Sequence, residues 1–260
     1  MEISPLHAFS DNYIWALRQG DKVAVVDPGE AGPVLDYLQQ TGTQLCAILI
    51  THRHNDHIGG VSELLAHAAV PVYGPAAEQA KINMLTHTLN DGDTVKLPAL
   101  DAEFQVLDVG GHTLGHIAYV GKADGHTVVF CGDTLFAGGC GRIFEGTPQQ
   151  MFASLSKLAA LPADTRVYCA HEYTQSNLKF AMAVEPSNAA LQARNQAVAR
   201  LRAANLATVP SLLADELATN PFLRSTAPEV IAAARQFSKD ETLQEPVQIF
   251  AAIREWKNVF

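Results

Sequence analysis

Cysteine is scarce in this chain of 260 residues: Cys46, Cys131, Cys140 and Cys169 stand far apart, with no Cys-x-x-Cys pair. That excludes a disulfide framework and a thiolate zinc site. Cys46, Cys131 and Cys169 sit in or beside apolar runs and read as small core residues, whereas Cys140 lies in a glycine-rich loop. Long hydrophobic runs are also lacking, so no segment approaches the length of a membrane span. Basic residues are outnumbered, with 18 Lys and Arg against 27 Asp and Glu. The net charge of -9 argues against broad nucleic-acid binding and against an anionic membrane surface. Low-complexity segments and repeats of fixed period are absent as well. The first residues, Met1 to His7, lack the basic and then apolar layout of a signal peptide, so the cytoplasm is the expected compartment and a monomer the expected state. With 48% hydrophobic and 17% charged residues, the chain is expected to be ordered and long enough for one large domain or two smaller ones.

What is present is concentrated in residues 45 to 60, Leu-Cys-Ala-Ile-Leu-Ile-Thr-His-Arg-His-Asn-Asp-His-Ile-Gly-Gly. The first six residues are uncharged and read as a buried strand. Four metal-type side chains arrive as that strand ends. His52 and His54 are two apart, so in extended chain their imidazoles fall on one side. Asp56 and His57 follow where the chain turns into a helix, and Gly59 and Gly60 let the backbone pass close to a neighbouring segment. Burying so many ionisable groups without a partner would be costly. The nitrogen and carboxylate donors suit zinc, with iron and manganese as alternatives.

Around this stretch, runs at 2–9, 12–17 and 22–27 predict antiparallel strands, and 31–40 predicts a helix. A helix is expected over 58–69 and a short strand over 70–73. A second set of strands is expected at 93–97, 102–109, 116–121 and 126–131, with Gly121 to Gly125 as a hairpin connection. A helix over 148–160 and a strand over 166–169 close the α/β part. The remainder reads as helices at 174–184, 188–205, 211–217, 228–237 and 245–258, punctuated by prolines. The expected division is an α/β part over 1–172 and an all-α part over 173–260.

Three further strand ends carry metal-type residues: Gly110-Gly111-His112-Thr113-Leu114-Gly115-His116, Cys131-Gly132-Asp133-Thr134-Leu135-Phe136 and Cys169-Ala170-His171-Glu172-Tyr173. Singly, each His or Asp reads as a cap or a hydrogen-bonded core residue. As a set, with HxHxDH at 52–57, they resemble the metallo-β-lactamase superfamily. The resemblance implies that His52, His54 and His112 hold one metal, that Asp56, His57 and His171 hold the other, and that Asp133 bridges both. His116 is not a ligand in that pattern. Within the superfamily the chain looks most like the glyoxalase II (hydroxyacylglutathione hydrolase) family. The supporting segments are Asp11-Asn12-Tyr13, Gly139-Cys140-Gly141-Arg142, His171-Glu172-Tyr173-Thr174, Asn177-Leu178-Lys179-Phe180, Asn220-Pro221-Phe222-Leu223-Arg224 and Arg254-Glu255-Trp256-Lys257.

This resemblance implies an αββα sandwich with a C-terminal all-α domain. It implies hydrolysis of S-D-lactoylglutathione to D-lactate and glutathione, the second step of methylglyoxal detoxification. Two divalent ions, zinc foremost, would share a hydroxide and polarise the thioester carbonyl. Asp56 and Asp133 are then the catalytic carboxylates, and Arg142, Phe144, Tyr173, Asn177, Arg254 and Lys257 the substrate-binding residues. The competing reading is another enzyme of the fold, such as a lactonase, a one-iron persulfide dioxygenase or a nuclease. Arg254 and Lys257, three apart on an expected helix, speak against it because they suit the glycine carboxylate of glutathione. A metal-binding sensor without turnover is the reading from a different class. Three positions depart from the family pattern: Arg53 where many relatives have His, Gly110 in place of a proline, which is expected to loosen its loop, and Phe144 where some relatives have Tyr.

Overall fold

Residues 2 to 26 fold as antiparallel strands β1 (Glu2–Ala8), β2 (Asn12–Gln19) and β3 (Lys22–Val26) in the computed structural model, which describes residues 1–260. The sheet continues in parallel through β4 (Gln44–Leu49), β5 (Val72–Pro75) and β6 (His87–Leu89). Parallel pairing requires crossovers, which are supplied by α1 (Gly32–Thr41), by the short α2 (Asn55–Ile58) with α3 (Val61–His67) and, between β5 and β6, by the segment 76–86. The single helix expected over 58–69 is therefore two helices, and it begins earlier. The break falls at Gly59 and Gly60, where a Cβ would lie 2.6 Å from the Gly29 carbonyl oxygen and 2.4 Å from the Glu30 carbonyl carbon. Gly60 donates its N–H to Pro28 across this contact. β6 was not expected, because three residues are too few to show alternation.

The second sheet contains β7 (Thr94–Leu97), β8 (Ala102–Asp108), β9 (Ile117–Ala123) and β10 (His126–Gly132) as an antiparallel meander. The connection between β9 and β10 is tighter than the expected 121–125, since Asp124 and Gly125, at φ +48° and +79°, form the whole turn. A two-stranded hairpin follows, β11 (Leu135–Phe136) with β12 (Gly139–Cys140). Next come α4 (Pro148–Ala159) and β13 (Arg166–Cys169), which lies parallel to β10. α4 starts on a capping box between Thr147 and Gln150, with Pro148 at its first position, worth roughly 1 kcal/mol. β14 (Ser211–Leu212) pairs with β13 and covers the sheet edge. Residues 211 and 212, expected to begin a helix, are thus extended, and the helix starts at Leu213.

The strands of β2 and β3 alternate between two apolar clusters. Trp15, Leu17, Ala24 and Val26 face the second sheet, meeting Phe104, Tyr119 and Phe130. Ile14, Ala16, Val23 and Val25 face Val34 and Leu38 of α1 and Val61 and Leu64 of α3. With α4 against the second sheet, the layers run α, β, β, α. The helical region comprises α5 (Thr174–Val184), α6 (Ala189–Ala203), α7 (Leu213–Thr219), α8 (Pro228–Ser238) and α9 (Pro246–Val259). It shares the larger core: Phe180, Phe222, Phe250 and Ile253 belong to the same cluster as Phe136, Met151 and Leu155. No helix is long and apolar enough to cross a membrane.

Candidate dinuclear metal site

The strand ends converge. His52, His54, His112 and Asp133 form one group of potential ligands, and Asp56, His57 and His171 form a second. In the first, the His54 Nδ1 lies 3.0 Å from the Nε2 atoms of both His52 and His112. Asp133 stands between the groups: Oδ2 is 3.4 Å from His112 Nε2, while Oδ1 is 3.5 Å from His57 Nε2 and 3.3 Å from His171 Nε2. Asp56 Oδ2 is 3.5 Å from His57 Nε2 and 3.4 Å from His171 Nε2.

The far side of each ring shows why these nitrogens point inward. His57 Nδ1 donates to Asp27 at 2.9 Å, His171 Nδ1 to Asp11 at 2.8 Å, and His112 Nδ1 to the Arg142 carbonyl at 2.8 Å. Thr51 donates its hydroxyl to Asp27 at 2.6 Å, which leaves its oxygen to accept from His52 Nδ1 at 3.2 Å. Asn12 donates to Asp56 at 3.1 Å. Such outer partners fix tautomer and ring orientation. With Nδ1 protonated on His52 and His112, both Nε2 atoms are bare lone pairs, and a single proton on His54 Nδ1 can satisfy only one of them. Across the site, His57 Nε2 and Asp133 Oδ1 are buried without a hydrogen-bond partner. Converging lone pairs and orphaned buried atoms fit divalent cations, one in each group.

Electrostatics point the same way. Burial pushes His52, His54 and His112 below the usual imidazole value, so these rings are neutral at pH 7. Burial also opposes charge on His57 and His171, but the carboxylates outweigh it. Asp133 and Asp27 raise His57, and the nearby carboxylates of Asp133 and Asp56 lift His171 to about 10. Burial likewise disfavours ionised Asp133 and Asp56, yet His57 and His171 hold both well below the usual carboxylate range. The protons on His57 and His171 occupy the place where a cation would neutralise the carboxylates.

His116, expected outside the ligand set, stacks on His52 at 4.5 Å between ring centroids and accepts the Asp133 backbone N–H at 3.1 Å. Gly110 does not leave its loop loose. Its N–H, which a proline would lack, donates to Asp108 at 2.9 Å, and its carbonyl accepts from Ser154 at 2.6 Å. Arg53 pairs with Glu145, which also accepts the Leu114 N–H at 3.0 Å.

His54, Asp56, His112 and Asp133 open into a cavity of about 530 Å³ that is also lined by Arg142, Phe144, Tyr173, Asn177, Arg254 and Lys257. All six residues expected to bind substrate therefore share the cavity with the metal-type groups. Tyr173 stacks on His171 at 4.7 Å with the rings 5° apart. Phe144 is 63% exposed at the mouth, its ring 5.2 Å from that of His112. Lys257 donates to the Ser176 carbonyl at 3.3 Å, and burial together with Arg254 and Arg142 lowers its pKa. Arg254 is not a free cationic head on the surface. It is only 5% exposed, donates to the Cys140 carbonyl at 3.0 Å and to Asn258 at 3.2 Å, and leaves its Nε unpartnered. Asp27 and Thr51 carry no signal in the sequence beyond standing at strand ends, and Asp11 and Asn12 are legible only through the resemblance.

Residues 9–171 match the family model described as metallo-beta-lactamase superfamily, and residues 172–260 match that described as hydroxyacylglutathione hydrolase C-terminus. A protein of Vibrio vulnificus named hydroxyacylglutathione hydrolase 2 is 55% identical over 262 residues, covering all of both chains. The hydroxyacylglutathione hydrolase of Nitrosomonas eutropha is 51% identical, covering all of this chain and 99% of its own. Among solved structures, ETHE1 from Myxococcus xanthus aligns over all of this chain and 99% of its own, with a TM-score of 0.64 at 22% identity. A protein crystallised in a di-iron-bound form aligns over 66% of this chain and 92% of its own, with a TM-score of 0.53 at 31% identity.

Proposed function

The chain belongs to the hydroxyacylglutathione hydrolase family of the metallo-β-lactamase superfamily, and from that membership we propose that it hydrolyses thioesters of glutathione with 2-hydroxy acids, S-D-lactoylglutathione foremost. The observation that carries the reading is the shared cavity, where the metal-type cluster meets a set of cations, Arg142, Arg254 and Lys257, whose hydrogen bonds go to neutral groups and not to carboxylates. A thioester whose thiol end bears carboxylates matches both halves.

His52, His54 and His112 would hold one ion, Asp56, His57 and His171 the other, and Asp133 both. Two bound divalent ions supply a water of pKa about 7 and Lewis acidity toward a carbonyl. Zinc suits the His and Asp donors, with iron or manganese as the alternatives. Asp56, itself oriented by Asn12, would orient the attacking water besides holding metal, while Asp133 would keep the two halves of the site in register. Lys257, Arg254 and Arg142 hold the glycine carboxylate, and Tyr173 and Asn177 flank the path to the sulfur. A thiol of pKa about 8.5 leaves readily as thiolate, so the cavity needs no separate general acid. Residues 1–172 would carry the chemistry, and 173–260 would add Tyr173, Asn177, Arg254 and Lys257 to the substrate contacts made by Arg142 and Phe144. The working form would be a cytoplasmic monomer that binds neither nucleic acid nor membrane, in keeping with four free cysteines and a net charge of -9.

The test is release of free thiol from S-D-lactoylglutathione by purified protein, with and without a chelator. Chelator-sensitive release is expected. No release by protein loaded with metal would overturn the reading.

A further inference from the structure

Glu216 lies on α7, far in sequence from the strand ends of the site, yet it is fully buried. Its Oε1 accepts from Arg194 at 2.5 Å. Its Oε2 accepts from the Gly138 backbone N–H at 2.8 Å and from Asn220 Nδ2 at 3.1 Å. The same Asn220 nitrogen reaches the Gly139 carbonyl at 2.9 Å. Asn177 holds the Ala137 carbonyl at 3.2 Å, and Arg254 holds that of Cys140. Side chains of the helical region thus grip the backbone of the β11–β12 hairpin along its whole turn.

A hairpin with two residues in each strand cannot hold itself in one conformation. This one carries Phe136 and Cys140 in the cavity wall, three and seven residues after Asp133. Gly138, at φ +68°, and Gly139 bring it flat against α5, where added Cβ atoms would lie 2.7 Å from Leu178 and 2.5 Å from Asn177. Arg194 alone would pair the Glu216 charge. The second carboxylate oxygen, reaching Gly138, supplies the buried acceptor that the turn needs.

We propose that Glu216 is a positioning residue that fixes the hairpin and, through it, the cavity wall against which the glutathione half of the thioester packs. This rests on the thioester reading of the cavity. The carboxylate touches no substrate, so its influence falls on binding and not on the reacting carbonyl.

Two double variants of the metal-loaded protein separate this role from general stability. E216Q/R194M removes the ion pair but keeps an amide oxygen for Gly138. E216L/R194M removes the acceptor as well, and apolar replacement of a buried ion pair is commonly tolerated by the fold. E216L/R194M is expected to show a KM for S-D-lactoylglutathione about tenfold above that of E216Q/R194M, with kcat within about twofold and equal metal content. Its amide exchange should rise over Phe136 to Gly141 and not elsewhere. Equal KM in the two variants would overturn the proposal, as would losses of kcat and metal that accompany any rise in KM. If E216L/R194M does not fold, exchange in the unmodified protein decides. A Gly138 amide as protected as those of β10 supports the proposal, and one as fast as Gly125 in its exposed turn overturns it. Exchange is read without substrate, so failure of the unmodified protein to release thiol would overturn the thioester reading separately.

Discussion

His57 Nε2 and Asp133 Oδ1 face each other at 3.5 Å, both buried and neither hydrogen-bonded. Two such atoms left unsatisfied would cost roughly 1 to 3 kcal/mol each, so this gap makes sense as a place for a cation. Asp133 presents one carboxylate oxygen to each ligand group.

Asp133→Ala should therefore disturb both halves of the site at once. Elemental analysis of the purified variant is expected to give well under two ions per chain, with turnover falling in parallel. Full double occupancy in an active variant would refute the bridging role.

Asp27 touches no expected metal position, but it accepts from His57 Nδ1 and from both the backbone and the hydroxyl of Thr51, at 2.9, 2.7 and 2.6 Å. Through Thr51 it also sets the tautomer of His52, so one carboxylate steadies a ligand in each group. Asp27→Asn should weaken metal affinity about 10-fold to 100-fold, the range for loss of an outer partner of a ligating histidine. Competition with a chromophoric chelator measures it, and an affinity matching the unmodified protein would remove Asp27 from the site.

Lys257 offers a cleaner test of the cationic subsite than Arg254, whose removal also strips a hydrogen bond from Cys140. A charge-assisted contact contributes roughly 1.5 to 3 kcal/mol, so Lys257→Met should raise KM for the glutathione thioester about 10-fold to 150-fold with kcat little changed. Burial and the neighbouring Arg254 and Arg142 lower the Lys257 pKa. As pH rises through that lowered value the ammonium is lost, so KM should climb below the pH at which a free lysine titrates. The variant should lack that limb, and a KM profile identical in the two proteins would rule Lys257 out.

Phe144→Tyr adds a hydroxyl to an exposed ring at the cavity mouth. One recovered neutral hydrogen bond contributes about 0.5 to 1.5 kcal/mol, so KM should fall by no more than about tenfold, with kcat and melting temperature unchanged. Steady-state kinetics decide it. A large loss of activity would mean that the added hydroxyl blocks the mouth.

The metal-type residues were legible in the sequence because they are a local pattern: a β-branched strand ends and presents side chains at a spacing set by the backbone. The periodicities gave an α/β part followed by a run of helices, while the layered sandwich and the substrate residues came from whole-length resemblance. Pieces shorter than the period that would reveal them were not legible, as β6, β14 and the division of the expected helix at Gly59 and Gly60 show. Tertiary structure alone decided what stands behind the ligands. Asp27 meets His57 across 30 positions, His171 meets Asp11 across 160, and Glu216 meets Gly138 across 78. Each is an ordinary carboxylate in the sequence. Its role comes from a buried donor brought near by folding, and no spacing along the chain records that encounter.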